Sequence, residues 1–114
     1  MDSILTSIKK LLGMTEDYTH FDADLIMHIN SAFMILHQLC VGPSKRFAIT
    51  GAYETWNEFM EEEESLDAVK TYIYQKVKLV FDPPTSSSVL ASNERITSEL
   101  EWRLNVAAES SVDE

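Results

Sequence analysis

The sequence predicts an all-α protein: a small bundle of about four to five helices with one irregular loop, which holds at most a short strand or hairpin. Apolar residues recur at i, i+3, i+4 and i+7 in separate stretches, the period of one helix face rather than the alternation of a half-buried strand. Only three glycines and three prolines occur in 114 residues, too few for a turn-rich β architecture. Most of them stand between the periodic stretches, where helices must stop.

The first helix is expected from Ser3 to Leu12. Ser3 is placed to cap it, Ile4, Leu5, Ile8, Leu11 and Leu12 form its apolar face, and Gly13 supplies the left-handed stop. After a polar link, Asp22 reads as the next N-cap, with Phe21 and Ile26 as the two halves of a hydrophobic staple. This second helix carries Leu25, Ile26, Ile29, Phe33, Leu36, Leu39 and Cys40, with Met27, Met34 and Ile35 widening the stripe. Such a broad apolar girth predicts the central helix, or one facing both a core and a neighbour. Gly42-Pro43 is expected to end it.

Residues 44–53, SKRFAITGAY, are the least helical part and predict a loop with Phe47 and Ile49 in any short strand. Thr55-Trp56-Asn57-Glu58 has the spacing of a capping box and predicts a short helix ending in the run Glu61–Glu64. Trp56 there is expected to anchor the core. Ser65 is the expected cap of a helix with Val69, Tyr72, Ile73, Val77 and Val80 on one face. Asp82-Pro83-Pro84 must stop it near Phe81 or Asp82, because proline lacks an N–H and disfavours a helical residue before it. The last helix is expected from Ser88 to about Ala107, packing through Ile96, Leu100 and Leu104. At 100° per residue, Trp102 and Val106 then point to nearly the opposite side, to serve as contact residues or to be covered by the chain's own loops. Residues 1–108 read as one domain and 109–114 as an acidic, disordered tail.

The formal charge of −10 disfavours sequence-independent binding to polyphosphate. No basic leader, long apolar run or span-length segment is visible, which predicts a soluble chain without a standard export signal. A single cysteine, Cys40, allows no internal disulfide and is expected to be buried. His28 and His37 are nine positions apart on one helix and cannot share a metal. Glycine-rich phosphate loops, HExxH, GxSxG and CxxC are all lacking, so the expectation is a non-enzyme with no cofactor and no metal. Glu61, Glu62, Glu63 and Glu64 lack the alternating oxygens and glycine of a calcium loop and read as a solvated acidic segment. Lys45-Arg46-Phe47 is the one paired basic spot outside helices, open to three readings: nucleic-acid contact, a solvated loop, or docking to an acidic neighbour.

Taken along the chain, ILTSIKKLLG, FDADLIMHINSAF with QLCVGP, TWNEF, VKTYIYQKVKLVFDPPTSS and ELEWRLN resemble the small head–tail connector (adaptor) proteins of long-tailed bacteriophages. Cys40 departs from the small or apolar residue expected before Val41-Gly42-Pro43. The resemblance implies a virion protein of the neck, assembled in the host cytoplasm as a homo-oligomeric ring, generally dodecameric. It implies contact with the portal protein on one side and a stopper or other neck component on the other, passage of DNA without adhesion, and no membrane. On that reading Trp102, Val106, Lys45, Arg46 and Phe47 are candidates for a subunit or portal interface, and Glu61–Glu64 for a channel-facing surface. The alternatives are a small acidic helical regulator of a host or phage protein, and a helix-turn-helix packaging protein, which would need a basic recognition helix.

Overall fold

A computed structural model of the chain describes residues 3–61 and 63–112, those at 63–64 and 110–112 by their backbone alone. Helix α1 (Ile4–Leu11) is capped as expected: the Ser3 hydroxyl accepts from the Thr6 N–H at 3.2 Å. It ends in a Schellman turn around Gly13 at φ +85°, in which the Met14 N–H reaches the Lys9 carbonyl at 2.8 Å. Ile4, Leu5 and Ile8 are buried, whereas Leu11 is exposed.

Helix α2 (Asp22–Gln38) begins one residue earlier than expected, with Asp22 inside its first turn rather than at the cap. Phe21 occupies the cap position and no side chain closes the turn; the Asp22 carboxylate instead pairs with Lys9 at 2.9 Å. A buried ammonium without a counter-charge costs several kcal/mol, more than the ~1 kcal/mol a cap contributes, so the ion pair takes the carboxylate. At the other end the stop is Cys40 rather than Gly42. Cys40 takes φ +64°, and the Val41 N–H returns to the Leu36 carbonyl at 2.9 Å while the Cys40 N–H reaches that of His37 at 3.0 Å. The thiol expected to be buried is therefore exposed. Gly42 also has positive φ (+93°), and a Cβ there would lie 2.5 Å from the Phe59 ring.

The loop after α2 contains no strand. Its Phe47 packs edge-on against Phe33 and, with Phe59, closes a triangle of rings whose centroids are 4.8–5.4 Å apart. Asn30 holds the loop by both polar atoms: its Nδ2 donates to the Ile49 carbonyl at 2.9 Å and its Oδ1 accepts from the Ile49 N–H at 2.7 Å. The amide imitates a strand partner, which lets Ile49 enter the core without a sheet. The chain then meets α1 at an isolated antiparallel bridge between Ser3 and Thr55, where the Ile4 N–H donates to Glu54 O at 3.0 Å.

Helix α3 (Trp56–Phe59) is a single turn that stops at Met60, short of the glutamate run. The Thr55 side chain makes no cap bond; its backbone carbonyl accepts from the Glu58 N–H at 3.2 Å. The turn drops Trp56 and Phe59 into the core, and the Trp56 Nε1–H donates to Ser7 Oγ at 3.1 Å. Lys70 Nζ lies 5.7 Å from the centre of the same ring.

Helix α4 (Glu63–Phe81) starts two residues before Ser65, which places Glu63 and Glu64 in its first turn, where the helix dipole favours acids. Val69, Tyr72, Ile73 and Val77 are buried, while Val80 is exposed near the end. Phe81 folds back edge-on to Phe21, with centroids 5.2 Å apart, and the prolines follow. Helix α5 (Ser87–Val112) starts one residue before the expected Ser88 and runs past Ala107, so the backbone at 109–112 is helical; 113–114 lie outside the described residues. Helix α4 packs on α2 to one side and on α5 to the other, and α2 in turn lies between α4 and α1, so α2 faces both the core and a neighbouring helix and shares the centre with α4. The 20 Å short axis of the molecule is the thickness of two helix layers.

Candidate subunit interface on helix α5 and the basic loop

Helix α5 is attached to α4 through a seam of a few apolar side chains joined by hydrogen bonds. Leu104 and Thr97 are its buried residues, Leu100 and Ala108 are half-buried beside them, and Ile96, expected in the seam, is exposed. Its register is set by hydrogen bonds the apolar pattern does not encode. The Tyr72 hydroxyl donates to Glu101 Oε2 at 2.7 Å, Lys76 approaches the same oxygen at 3.8 Å, and Asn105 Nδ2 donates to the Leu39 carbonyl at 3.1 Å. Burial, then the hydrogen bond to Glu101 and its negative charge, push the Tyr72 phenol well above its ordinary 10.0.

With that seam fixed, Trp102 stands on the opposite side of α5 at 65 % exposure and Val106 beside it at 39 %. Among the described residues no loop covers the indole, which favours the contact reading over the covered one. Beside it Arg103 is tied to Glu99 at 3.0 Å, an exposed i,i+4 pair. An apolar strip flanked by a neutralised charge pair is suited to burial against another protein surface.

Of the basic loop, Lys45 and Arg46 are exposed, whereas Phe47 is half-buried in the ring triangle with Phe33 and Phe59. Phe47 thus anchors the loop that displays the two cations, a role its place beside them in the sequence did not reveal. Glu61 is exposed just before α4; Glu62 lies outside the described residues, and Glu63 and Glu64 are placed by backbone alone. Those candidates that lie among the described residues are therefore not one cluster: they occupy the outer face of α5, the first half of the loop after α2, and the segment that leads into α4.

Sequence reasoning missed Tyr53, the most exposed large apolar side chain at 86 %. It tips a tight loop closed by Glu54, whose Oε2 accepts from the Thr50 N–H at 3.0 Å and the Thr50 hydroxyl at 2.8 Å. Partial desolvation pushes the Glu54 carboxyl up, but the bonds from the Thr50 side chain and the backbone of Thr50, Glu54 and Gly51 outweigh it and hold it below the usual value. The signal was Thr50-Gly51 with an acid four residues after the threonine. Among the described residues no three His, Cys, Asp or Glu side chains converge on a point that could hold a metal ion. No helix among the described residues is long and apolar enough to cross a membrane.

Comparison with curated proteins and with solved structures yields no match to the chain. A family model described as "Phage connector protein" matches residues 4–111, from the first turn of α1 to the last turn of α5. The chain belongs to this phage connector family and is a structural connector protein of a phage.

Proposed function

We propose that copies of this connector close into a ring, dodecameric as the resemblance implies, which sits below the portal protein, joins head to tail and continues the DNA channel. The observation that carries this reading is Trp102: a 65 % exposed indole on a helix whose other face is already engaged. Large aromatic side chains are enriched in the cores of protein interfaces, and head-to-tail repetition of one such contact closes into a ring when the rotation permits. The net charge of −10 suits a wall along which DNA must slide without sticking, and Glu61–Glu64 are assigned to that wall. The role is structural and calls for neither catalysis nor a cofactor. Portal protein holds one rim and a stopper or other neck protein the opposite one.

Mixing the protein with the portal of the same phage, followed by mass photometry and negative-stain imaging, tests the proposal. A portal-dependent ring is expected. A one-to-one complex with a different protein would instead mark a small acidic regulator. Reversing the charges at Glu61–Glu64 is expected to slow DNA exit or retain DNA, and an unaffected exit would remove those residues from the channel wall.

A further inference from the structure

Five of the nine basic side chains are occupied within the chain: Lys9, Lys76, Lys78 and Arg103 in ion pairs and Lys70 against the Trp56 ring. Among the described residues, Lys45 and Arg46 are the adjacent pair left without an acidic partner, and both are exposed. They follow the C-terminal end of α2. At its N-terminal end lies a ladder of rings: Tyr18 is 6.0 Å from Phe21 and 6.2 Å from His20, and Phe21 stands edge-on to Phe81 at 5.2 Å. Exposed Glu16, Asp17 and Asp24 border this ladder, and Tyr18 is itself exposed. Buried Lys9 fixes the segment from below, donating to the Glu16 carbonyl at 2.9 Å and pairing with Asp22 at 2.9 Å, so the residues between bow outward over it.

We infer that the Lys45-Arg46 loop of one copy docks on the Tyr18–Phe21–Phe81 ladder and its acidic border on the next copy. The two surfaces are complementary in kind: a guanidinium stacks on aromatic faces and pairs with carboxylates, and the ladder offers both. Phe47, next to Arg46, packs on Phe33, 11 residues or about 16 Å along α2 from Asp22, and among the described residues no ion pair joins the loop to the ladder of its own chain. A head-to-tail contact between copies brings two such unlike and unpaired surfaces together. This inference rests on the ring reading and gives one of its contacts a chemical identity distinct from the Trp102 face.

Charge reversal tests it. The variants are Lys45→Glu with Arg46→Glu, Asp17→Lys with Asp24→Lys, and all four together, each checked for helix content by circular dichroism. Ring formation is read by mass photometry with the portal, at low and at 0.5 M salt. Each two-site variant is expected to weaken assembly by about ten-fold or more, and the four-site variant to recover it to within a few-fold. The Asp17/Asp24 variant is decisive, because it makes the chain less negative and would assemble better if only overall repulsion mattered. Rings formed equally by all variants, or improved by Asp17/Asp24 reversal, overturn the docking and leave the ring standing. Absence of any ring from the wild-type protein overturns both.

Discussion

The Tyr72 hydroxyl donates to Glu101 Oε2 at 2.7 Å across the seam between α4 and α5. A phenol buried against a carboxylate must stay protonated, so its pKa is raised in the folded chain. The stability it contributes is complete below the ordinary tyrosine value of 10.0 and is lost as pH rises beyond it, because the unfolded chain then ionises and the folded chain does not. At pH 11 the loss is about 1.4 kcal/mol relative to pH 7. Tyr72→Phe should cost about 1 kcal/mol at pH 7 through the missing hydrogen bond and escape that alkaline loss. Urea unfolding of both proteins at pH 7 and pH 11 measures it; a constant gap between them would contradict the assignment.

Asn30 carries the loop that ends at α3. Replacing it by alanine leaves both the N–H and the carbonyl of buried Ile49 without partners, and should cost about 2–4 kcal/mol. Asn30→Asp keeps the acceptor and loses the donor, so an intermediate loss is expected. Denaturant midpoints rank the three proteins. Near-equal midpoints for wild type and alanine variant would show that water replaces the amide without penalty.

Two neighbouring positions with positive φ respond in opposite directions. Cys40→Gly should raise stability by about 0.5–1 kcal/mol, since a side chain is strained at φ +64° and the thiol is exposed and packs little. Gly42→Ala should lower it by about 1–3 kcal/mol, because the new methyl would sit 2.5 Å from the Phe59 ring at φ +93°. Thermal midpoints should move by a few degrees each way. A shift of the same sign for both would refute the turn as described.

These turns also mark where sequence reading succeeds and where it stops. Ser3, Gly13 and Asp82-Pro83 act within one turn of themselves, so local chemistry was enough to place the ends of α1 and α4. Lys9 with Asp22, Asn30 with Ile49 and Tyr72 with Glu101 act across 13 to 29 positions and have no period to betray them. They also explain the local errors: Asp22 is not a cap because Lys9 holds it, and α5 is rotated away from Ile96 because Glu101 and Asn105 are held on the other side. Of the candidate interface, the outward direction of Trp102 follows from helix geometry alone. The burial of Phe47 does not, since it depends on Phe33 and Phe59 meeting it.

The two tryptophans differ enough to report on assembly separately. Trp56 is buried and hydrogen-bonded to Ser7, whereas Trp102 is exposed and makes no bond that fixes α5. Trp102→Ala should therefore change folding stability by no more than about 0.5 kcal/mol, while Trp56→Ala should cost about 3–5 kcal/mol. In Trp56→Phe, the remaining indole should emit as a solvated one and be quenched readily by acrylamide in the free protein. Adding portal should shift that emission to the blue and protect it as neighbouring copies cover the face. If a ring forms under the microscope and the emission of Trp102 stays red and quenchable, the outer face of α5 is not the surface that joins the copies.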